Sequence, residues 1–342
     1  MALINNHISA GFVKYLSLAK AAFSKKRIFN LTKILYSCVT RRSEVAGMPF
    51  LVQVEPTNRC ALKCKMCIKG AGILSRKDGD LDLEGFKKII RELEGSMVYL
   101  SLYNLGEPLL NKEIFEMIKY AKSKSIFVRL STNGELLDEE NIVRLINSGL
   151  DDLVISLDCV NQQDYVSYKG VDNFEKVINN VSLLIRERKN RPKPFISLQV
   201  LAMKNISKDI IDFRNLAKSL KVDKALVKKL RVNFPGLAPE KNLLPESDTY
   251  IRDFYKGDFK RKFCIRPLIS AVFLWDGSVI PCCFDMQGQY SFGNIYRERF
   301  KDTWNSSSYA FFRKNAAENP NQISICKECS LDGILEYLAN YS

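Results

Sequence analysis

Histidine is almost absent: the 342 residues include one, His7, far from every cysteine motif. Ser-His-Asp and Cys-His catalysis, and zinc held by imidazoles, need that ring in the site and are disfavoured. Long apolar runs are missing as well. No segment has the roughly 18 apolar residues that a membrane-spanning helix requires. Lys14, Lys20, Lys25 and Lys26 interrupt the region where a secretory signal would be uniformly apolar. The expected location is the cytoplasm, with peripheral membrane association left open. In a reducing compartment the ten cysteines are expected to bind metal or do chemistry rather than pair. A chain of this length buries about three-quarters of its unfolded surface, so it needs no disulfides for a core.

Acidic residues are missing from residues 1–43, which carry eight Lys or Arg and supply +8 of the formal +14. The remaining +6 is spread over about 300 residues, an ordinary solvated surface. Nucleic acid is therefore not an expected partner. Within the basic segment, apolar residues recur at helical spacing: Phe12, Leu16, Ala19 and Phe23, then Ile28, Leu31, Leu35 and Cys38. We read residues 1–47 as a basic helical extension whose apolar stripe packs on the main domain. The alternatives are a basic amphipathic helix lying on an anionic membrane or acidic partner, and a cleaved organelle transit peptide.

From Pro49 onward the pattern alternates between strand and helix. Apolar, β-branched runs predict strands at Leu51–Glu55, Met97–Tyr103, Ile126–Ser131, Leu153–Leu157, Phe195–Leu201 and Ala225–Val232. Helical patterns occupy Leu83–Leu93, Glu113–Lys122, Glu139–Ile146, Phe174–Arg186 and Ile210–Leu220. Six βα units in series imply an α/β fold of parallel strands, either an open sheet or a full or partial barrel. In such folds ligands sit at the carboxyl ends of the strands, so loops following strands carry most weight. A segment with Pro235, Gly236, Pro239 and Pro245 reads as a linker over 236–262. Beyond it, Ala271–Trp275, Asp276-Gly277 and Ser278–Cys282 read as a hairpin, followed by helix and a Cys-x2-Cys.

The strongest chemical signal is Cys60-Ala-Leu-Lys-Cys64-Lys-Met-Cys67, directly after the first strand. Thiolates three and four residues apart in one loop can converge on a soft metal centre. Three thiolates are one short of a closed four-ligand site, which is the mark of a centre with an open position. A zinc or four-cysteine site completed from elsewhere is the competing structural reading.

The stretch Val54-Glu55-Pro56-Thr57-Asn58-Arg59-Cys60 running into C-x3-C-x2-C resembles the cluster loop of the radical S-adenosylmethionine enzymes. Gly106-Glu107-Pro108, Ser131-Thr132-Asn133-Gly134 and Ser156-Leu157-Asp158 follow in order at the next three strand ends. Individually each motif is only a turn; their order carries the resemblance, which covers about residues 48–235. It implies a partial (β/α)6 TIM-like barrel in which Cys60, Cys64 and Cys67 hold a 4Fe–4S cluster. The open iron would be chelated by the methionine end of S-adenosyl-L-methionine. Gly106 and Glu107 are expected to receive its amino group, Ser131, Asn133 and Ser156 its ribose and carboxylate, and Met66 its adenine. Reductive cleavage of the sulfonium would give a 5′-deoxyadenosyl radical that abstracts hydrogen from substrate, with a flavodoxin or ferredoxin as electron donor. No catalytic side chain is selected by the sequence: Asp158 or another carboxylate near the strand ends could take a proton.

A second set, Cys264, Cys282, Cys326 and Cys329, supplies four thiolates, enough to close a site of zinc or of iron–sulfur by spacing alone. Gly277-Ser278-Val279-Ile280-Pro281-Cys282 followed by Gly293-Asn294-Ile295 resembles the SPASM or shorter twitch auxiliary-cluster domain, here over 263–342. The resemblance implies one fully ligated 4Fe–4S cluster, since the full SPASM pattern has seven cysteines, with Cys282 preferred to Cys283. Cys38 and Cys159 are expected as small buried residues. The leading expectation is dehydrogenation of a small molecule such as a sugar, cyclitol or lipid headgroup, the auxiliary cluster accepting an electron. The alternative is a maturase of a ribosomally made peptide, for which residues 1–47 look too short and too poor in β pattern to grip a leader. A non-enzymatic zinc or iron–sulfur scaffold binding nucleic acid or a partner is the third.

Overall fold

The computed structural model describes residues 2–40, 43–203, 206–229, 243, 264–327 and 329. Six parallel strands form in the expected places: β1 Leu51–Val54, β2 Tyr99–Ser101, β3 Phe127–Thr132, β4 Asp152–Asp158, β5 Phe195–Ala202 and β6 Lys224–Lys229. Residues 230–232 of the last expected strand, and the expected linker apart from Leu243, lie outside the described residues. The connecting helices are α3 Leu83–Leu93, α4 Ile114–Ser123, α5 Glu139–Asn147, α6 Gln162–Lys169, α7 Phe174–Arg188 and α8 Ile206–Ser219. Their boundaries follow local chemistry. Asp82 caps α3 by accepting from the Gly85 amide at 2.6 Å, and Phe86, Ile89, Ile90 and Leu93 then fall on one fully buried face.

Along β4 the period of two separates two surfaces. Leu153, Ile155 and Leu157 join the apolar core beneath the helices. Asp152, Ser156 and Asp158 lie on the opposite face with polar partners: Arg129 donates to Asp152 at 2.5 Å and Gln199 to Ser156 at 3.0 Å. The fold is thus an α/β partial barrel with an apolar coat and a polar lumen.

The C-terminal hairpin does not stand apart from this sheet. β7, Ser270–Phe273, lies parallel beside β1 with Leu51 opposite Ser270, and β8, Ser278–Ile280, and β9, Gly293–Asn294, follow antiparallel. One nine-stranded sheet runs β6-β5-β4-β3-β2-β1-β7-β8-β9. After α9, Arg266–Ile269, which precedes β7, come α10 Phe300–Trp304, α11 Ser307–Glu318 and α12 Ser324–Lys327.

Residues 2–39 form two helices, α1 Ala2–Ala22 and α2 Lys25–Val39. They close the amino-terminal end of the barrel. Lys14 on α1 pairs with Asp152 at 3.3 Å and lies over the Phe195 ring, where β4 and β5 begin. Arg27 on α2 donates to the carbonyls of Glu94 and Ser125, just before β2 and β3. The expected burial of the apolar stripe is overturned. Phe12, Leu16, Phe23, Ile28 and Leu35 are exposed, while the buried face of α2 is Arg27, Asn30, Ile34 and Ser37. The polar face won because it satisfies backbone carbonyls at the barrel rim that no apolar side chain could satisfy.

Candidate functional site

The loop after β1 is built before its cysteines are reached. Glu55, fully buried, accepts both guanidinium arms of Arg76 at 2.8 and 2.9 Å, the Asn104 amide at 3.1 Å and the Leu105 N–H at 3.4 Å. It thereby ties the ends of β1 and β2 to the segment beyond the cysteines. Thr57 and Asn58 donate to the carbonyls of Gly79 and Lys77, and the Gly79 amide returns a bond to Asn58. Arg59 grips Asp80. The loop is therefore laced to residues 76–80, and the thiols are presented from a fixed frame.

Gly106 fits closely against that frame. Its φ is +78°, and a Cβ there would stand 2.5 Å from the Thr57 carbonyl oxygen. Only glycine meets both demands. The next residue donates its N–H to the Arg59 carbonyl at 2.8 Å. The buried Glu107 carboxylate then accepts from Thr132 Oγ1 at 2.7 Å, from the Asn133 N–H at 2.8 Å and from the Leu109 N–H at 3.1 Å. Burial pushes its pKa above the usual carboxylate range, and these donors pull it back in part. The Gly-Glu-Pro and Ser-Thr-Asn-Gly motifs thus form one unit spanning the ends of β2 and β3.

A residue that the sequence reading passed over stands at the centre. Lys169, the last residue of α6, is buried and places its ammonium 2.5 Å from Asp158 and 2.9 Å from the Ser156 carbonyl. Burial alone would lower its pKa, but Asp158 and the Cys64 thiol outweigh that and hold it above the ordinary range. The carbonyls of Lys169 and Tyr168 accept from the amides of Lys63 and Lys65 at 3.0 Å each, so the end of α6 straddles Cys64. The signal for α6 was its punctuation: Asn161 caps it by accepting from the Asp164 N–H, and Gly170 ends it in the left-handed region.

Cys60, Cys64 and Cys67 are half-buried thiols within electrostatic reach of one another. Burial pushes the Cys60 thiol up and the Cys64 thiol to about 12, with neighbouring thiols adding to both. A metal centre would take these thiols up as thiolates with the proton released. Three soft donors beside one lysine, without a fourth cysteine in the loop, fit a site-differentiated iron–sulfur cluster. Met66 is buried in the core; Ser131, Asn133 and Ser156 are half-buried at their strand ends. Asn133 closes a turn by accepting from the Glu135 N–H, and Ser156 donates to Asp158.

Just beyond β8, two strands from β1, burial raises the Cys282 thiol, and Cys283 and Cys329 raise it further while Arg266 opposes them. Those side chains therefore share one neighbourhood. Cys326 packs on the same small apolar cluster as Cys282, around Phe312, Ala316, Ile323 and Ile325. Arg266 donates to Cys283 Sγ at 3.4 Å, and Cys264 lies half-buried two residues before it. This second donor set fits an iron–sulfur centre as the first does. Its loop is clasped to the first: Arg76 donates to the Met286 carbonyl at 2.7 Å, Ser75 N–H to Gln287 at 2.9 Å, and Gln287 to the Ile73 carbonyl at 2.9 Å.

Comparisons with known proteins agree with this geometry. The family model of the radical SAM superfamily matches residues 54–217, and that of SPASM, an iron–sulfur cluster-binding domain, matches residues 264–330. The tungsten-containing aldehyde ferredoxin oxidoreductase cofactor-modifying protein of Pyrococcus furiosus is 25% identical over 323 residues, covering 83% of this chain and 88% of that protein. PqqA peptide cyclase of Bradyrhizobium diazoefficiens is 31% identical over 120 residues, covering 35% of this chain and 31% of the cyclase. The chain spans about half or less of five further curated relatives that it matches. Among solved structures, Streptococcus suis SuiB bound to precursor peptide SuiA gives a TM-score of 0.63 at 16% identity, covering 89% of this chain and 75% of that one. That likeness establishes the fold.

Proposed function

Because this chain belongs to the radical S-adenosylmethionine superfamily and carries a SPASM iron–sulfur domain, we propose that it oxidises a peptide substrate. The observation that carries this reading is the parallel pairing of β7 with β1, which joins the SPASM hairpin to the edge of the barrel and clasps the two cysteine loops together. A substrate radical made at the barrel mouth then lies beside a second centre able to take its remaining electron. The peptide assignment draws on relatives named as a peptide cyclase and a mycofactocin maturase, about 30% identical over 120 to 130 residues.

In this reading the radical core spans 48–235 and the auxiliary domain 263–342, within the cytoplasm, with a flavodoxin- or ferredoxin-type donor. Cys60, Cys64 and Cys67 hold the first cluster; Cys264, Cys282, Cys326 and Cys329 hold a single auxiliary one. Bound there, the first cluster and S-adenosylmethionine supply a 5′-deoxyadenosyl radical, and the auxiliary cluster supplies an electron sink. The chain's own residues bind and orient. Glu107 Oε2 accepts a hydrogen bond from the Asn133 N–H and, with a second lone pair, has capacity for an ammonium donor. Ser131, Asn133 and Ser156 offer hydroxyl and amide contacts to the ribose and carboxylate, and the backbone at Met66 reaches the adenine. Asp158, which accepts from Lys169 and Ser156, would take the proton from substrate in this reading.

A second reading, dehydrogenation of a small molecule, is favoured by residues 2–39: they are two helices on the barrel floor, remote from the mouth and unlike a leader-gripping domain. The deciding experiment incubates anaerobically reconstituted protein, S-adenosylmethionine and dithionite with deuterated peptides encoded near the gene, and with deuterated cyclitols and sugars. Expected is deuterium in 5′-deoxyadenosine and a peptide two hydrogens lighter. A lighter small molecule with unchanged peptide would replace the first reading by the second, and no cleavage of S-adenosylmethionine would remove both.

A further inference from the structure

Among the described residues, the floor of the barrel carries the main apolar exposure. Of fourteen exposed large hydrophobic side chains among the described residues, nine lie between Phe12 and Val39. Phe23 is 83% exposed, Val39 74% and Leu35 64%. Scattered exposed hydrophobics are ordinary, whereas a contiguous concentration marks an interaction surface.

The arrangement within each helix is the reverse of the usual one. At 100° per residue, Ala10, Lys14 and Ala21 cluster on one side of α1 and are buried. Phe12, Tyr15 and Leu16 lie on the opposite side and are exposed, continued by Phe23 just past the end of the helix. On α2 the buried side makes specific polar bonds: Arg27 to four backbone carbonyls, Asn30 to both the carbonyl and amide of Met48, and Ser37 from the Ala46 amide. Ile28, Phe29, Leu35, Tyr36 and Val39 occupy the outward side. An ordinary surface helix turns its apolar stripe to the core. Here the inner face is already satisfied by hydrogen bonds, and the outer stripe has no structural task among the described residues.

The charge says what covers it. Lys20, Lys25, Lys26 and Lys33 are exposed on the same two helices, and residues 1–43 contain no Asp or Glu. A second copy of the chain meeting this face would bring lysine against lysine. An apolar stripe of aromatic and branched side chains flanked by lysines matches a bilayer whose surface is anionic, the aliphatic part entering between headgroups and the ammonium groups meeting phosphates. No helix among the described residues is long and apolar enough to cross a membrane, so the helices would lie on it. We infer that α1 and α2 form a peripheral docking surface for anionic phospholipid bilayers.

The test is flotation of reconstituted protein with vesicles of phosphatidylcholine alone or mixed with phosphatidylglycerol, at low and high salt. Binding to the anionic vesicles, weakened by salt, is expected. Replacing Lys20, Lys25 and Lys26 by Gln should weaken it about fivefold per lysine, and the pair Phe23→Ser and Leu35→Ser should abolish it. All these positions are exposed, so cluster absorbance and melting temperature are expected to stay put. Failure to float with anionic vesicles, or equal flotation with neutral ones, would overturn the proposal. So would light scattering that shows a dimer which the Phe23→Ser, Leu35→Ser pair breaks, with no vesicle binding.

Discussion

Lys228, on β6, faces the lumen where Arg129, Asp158, Asp152 and Cys283 also act on it, and burial lowers its pKa to about 8. In the unfolded chain the same lysine titrates near 10.4. Between these values the unfolded state holds a proton that the folded state has released, so stability rises with pH across that window. Below pH 8 the cost of burying the cation is complete. Lys228→Met should therefore stabilise the protein at pH 7, by about 1–3 kcal/mol, and flatten the difference in melting temperature between pH 7 and 10. An unchanged pH dependence in the variant would show that Lys228 is not the group responsible. At this scale the cysteines were legible because their spacing is local. Glu55 and Lys169 were not, because what defines them is distant: Arg76 is 21 residues from Glu55, and the ammonium of Lys169 reaches Asp158 across a helix.

Among the elements, α6 shows why periodicity is an incomplete guide. Gln162–Lys169 has no apolar stripe, yet Tyr165, Tyr168 and Lys169 are buried and its terminal carbonyls hold the cluster loop. Tertiary contact, not amphipathicity, stabilises it. Gly170 ends it at φ +74°, where a Cβ would lie 3.1 Å from Lys63 Cβ. Gly170→Ala is expected to cost about 1–2 kcal/mol from the backbone alone. It should also loosen the seat of Cys64, seen as a lower melting temperature and less iron retained after desalting; iron retention equal to the parent would sink that link. The floor helices failed in the opposite sense. Their amphipathicity was plain from the sequence, but which side faces inward depended on carbonyls at the barrel rim that no local pattern reveals.

For the whole molecule, the parallel α/β class was legible from the βα alternation and the partial barrel from the family resemblance, whereas the merger of hairpin and barrel into one sheet was not, since β1 and β7 are some 220 residues apart. Two donor sets on one framework should separate under mutation. Replacing Cys60, Cys64 and Cys67 by Ala should remove about half the iron and all reductive cleavage of S-adenosylmethionine. Replacing Cys282, Cys326 and Cys329 should remove a similar share of iron yet leave cleavage measurable while product formation is lost. Equal loss of cleavage in both variants would contradict the division of labour. Both are read by iron analysis and by 5′-deoxyadenosine release.

The helices at the foot of the barrel also set a height. The cysteine loop begins where β1 ends, whereas α1 holds the ends at which β4 and β5 start and α2 those at which β2 and β3 start. The longer strands, β3 to β6, have six to eight residues and rise about 20–25 Å. A molecule resting by its foot on a lamella would hold its reacting centre at that standoff, opening toward the aqueous side. Headgroups of the supporting leaflet would then lie out of range, so the reactant arrives from solution while attachment governs only where the reaction takes place.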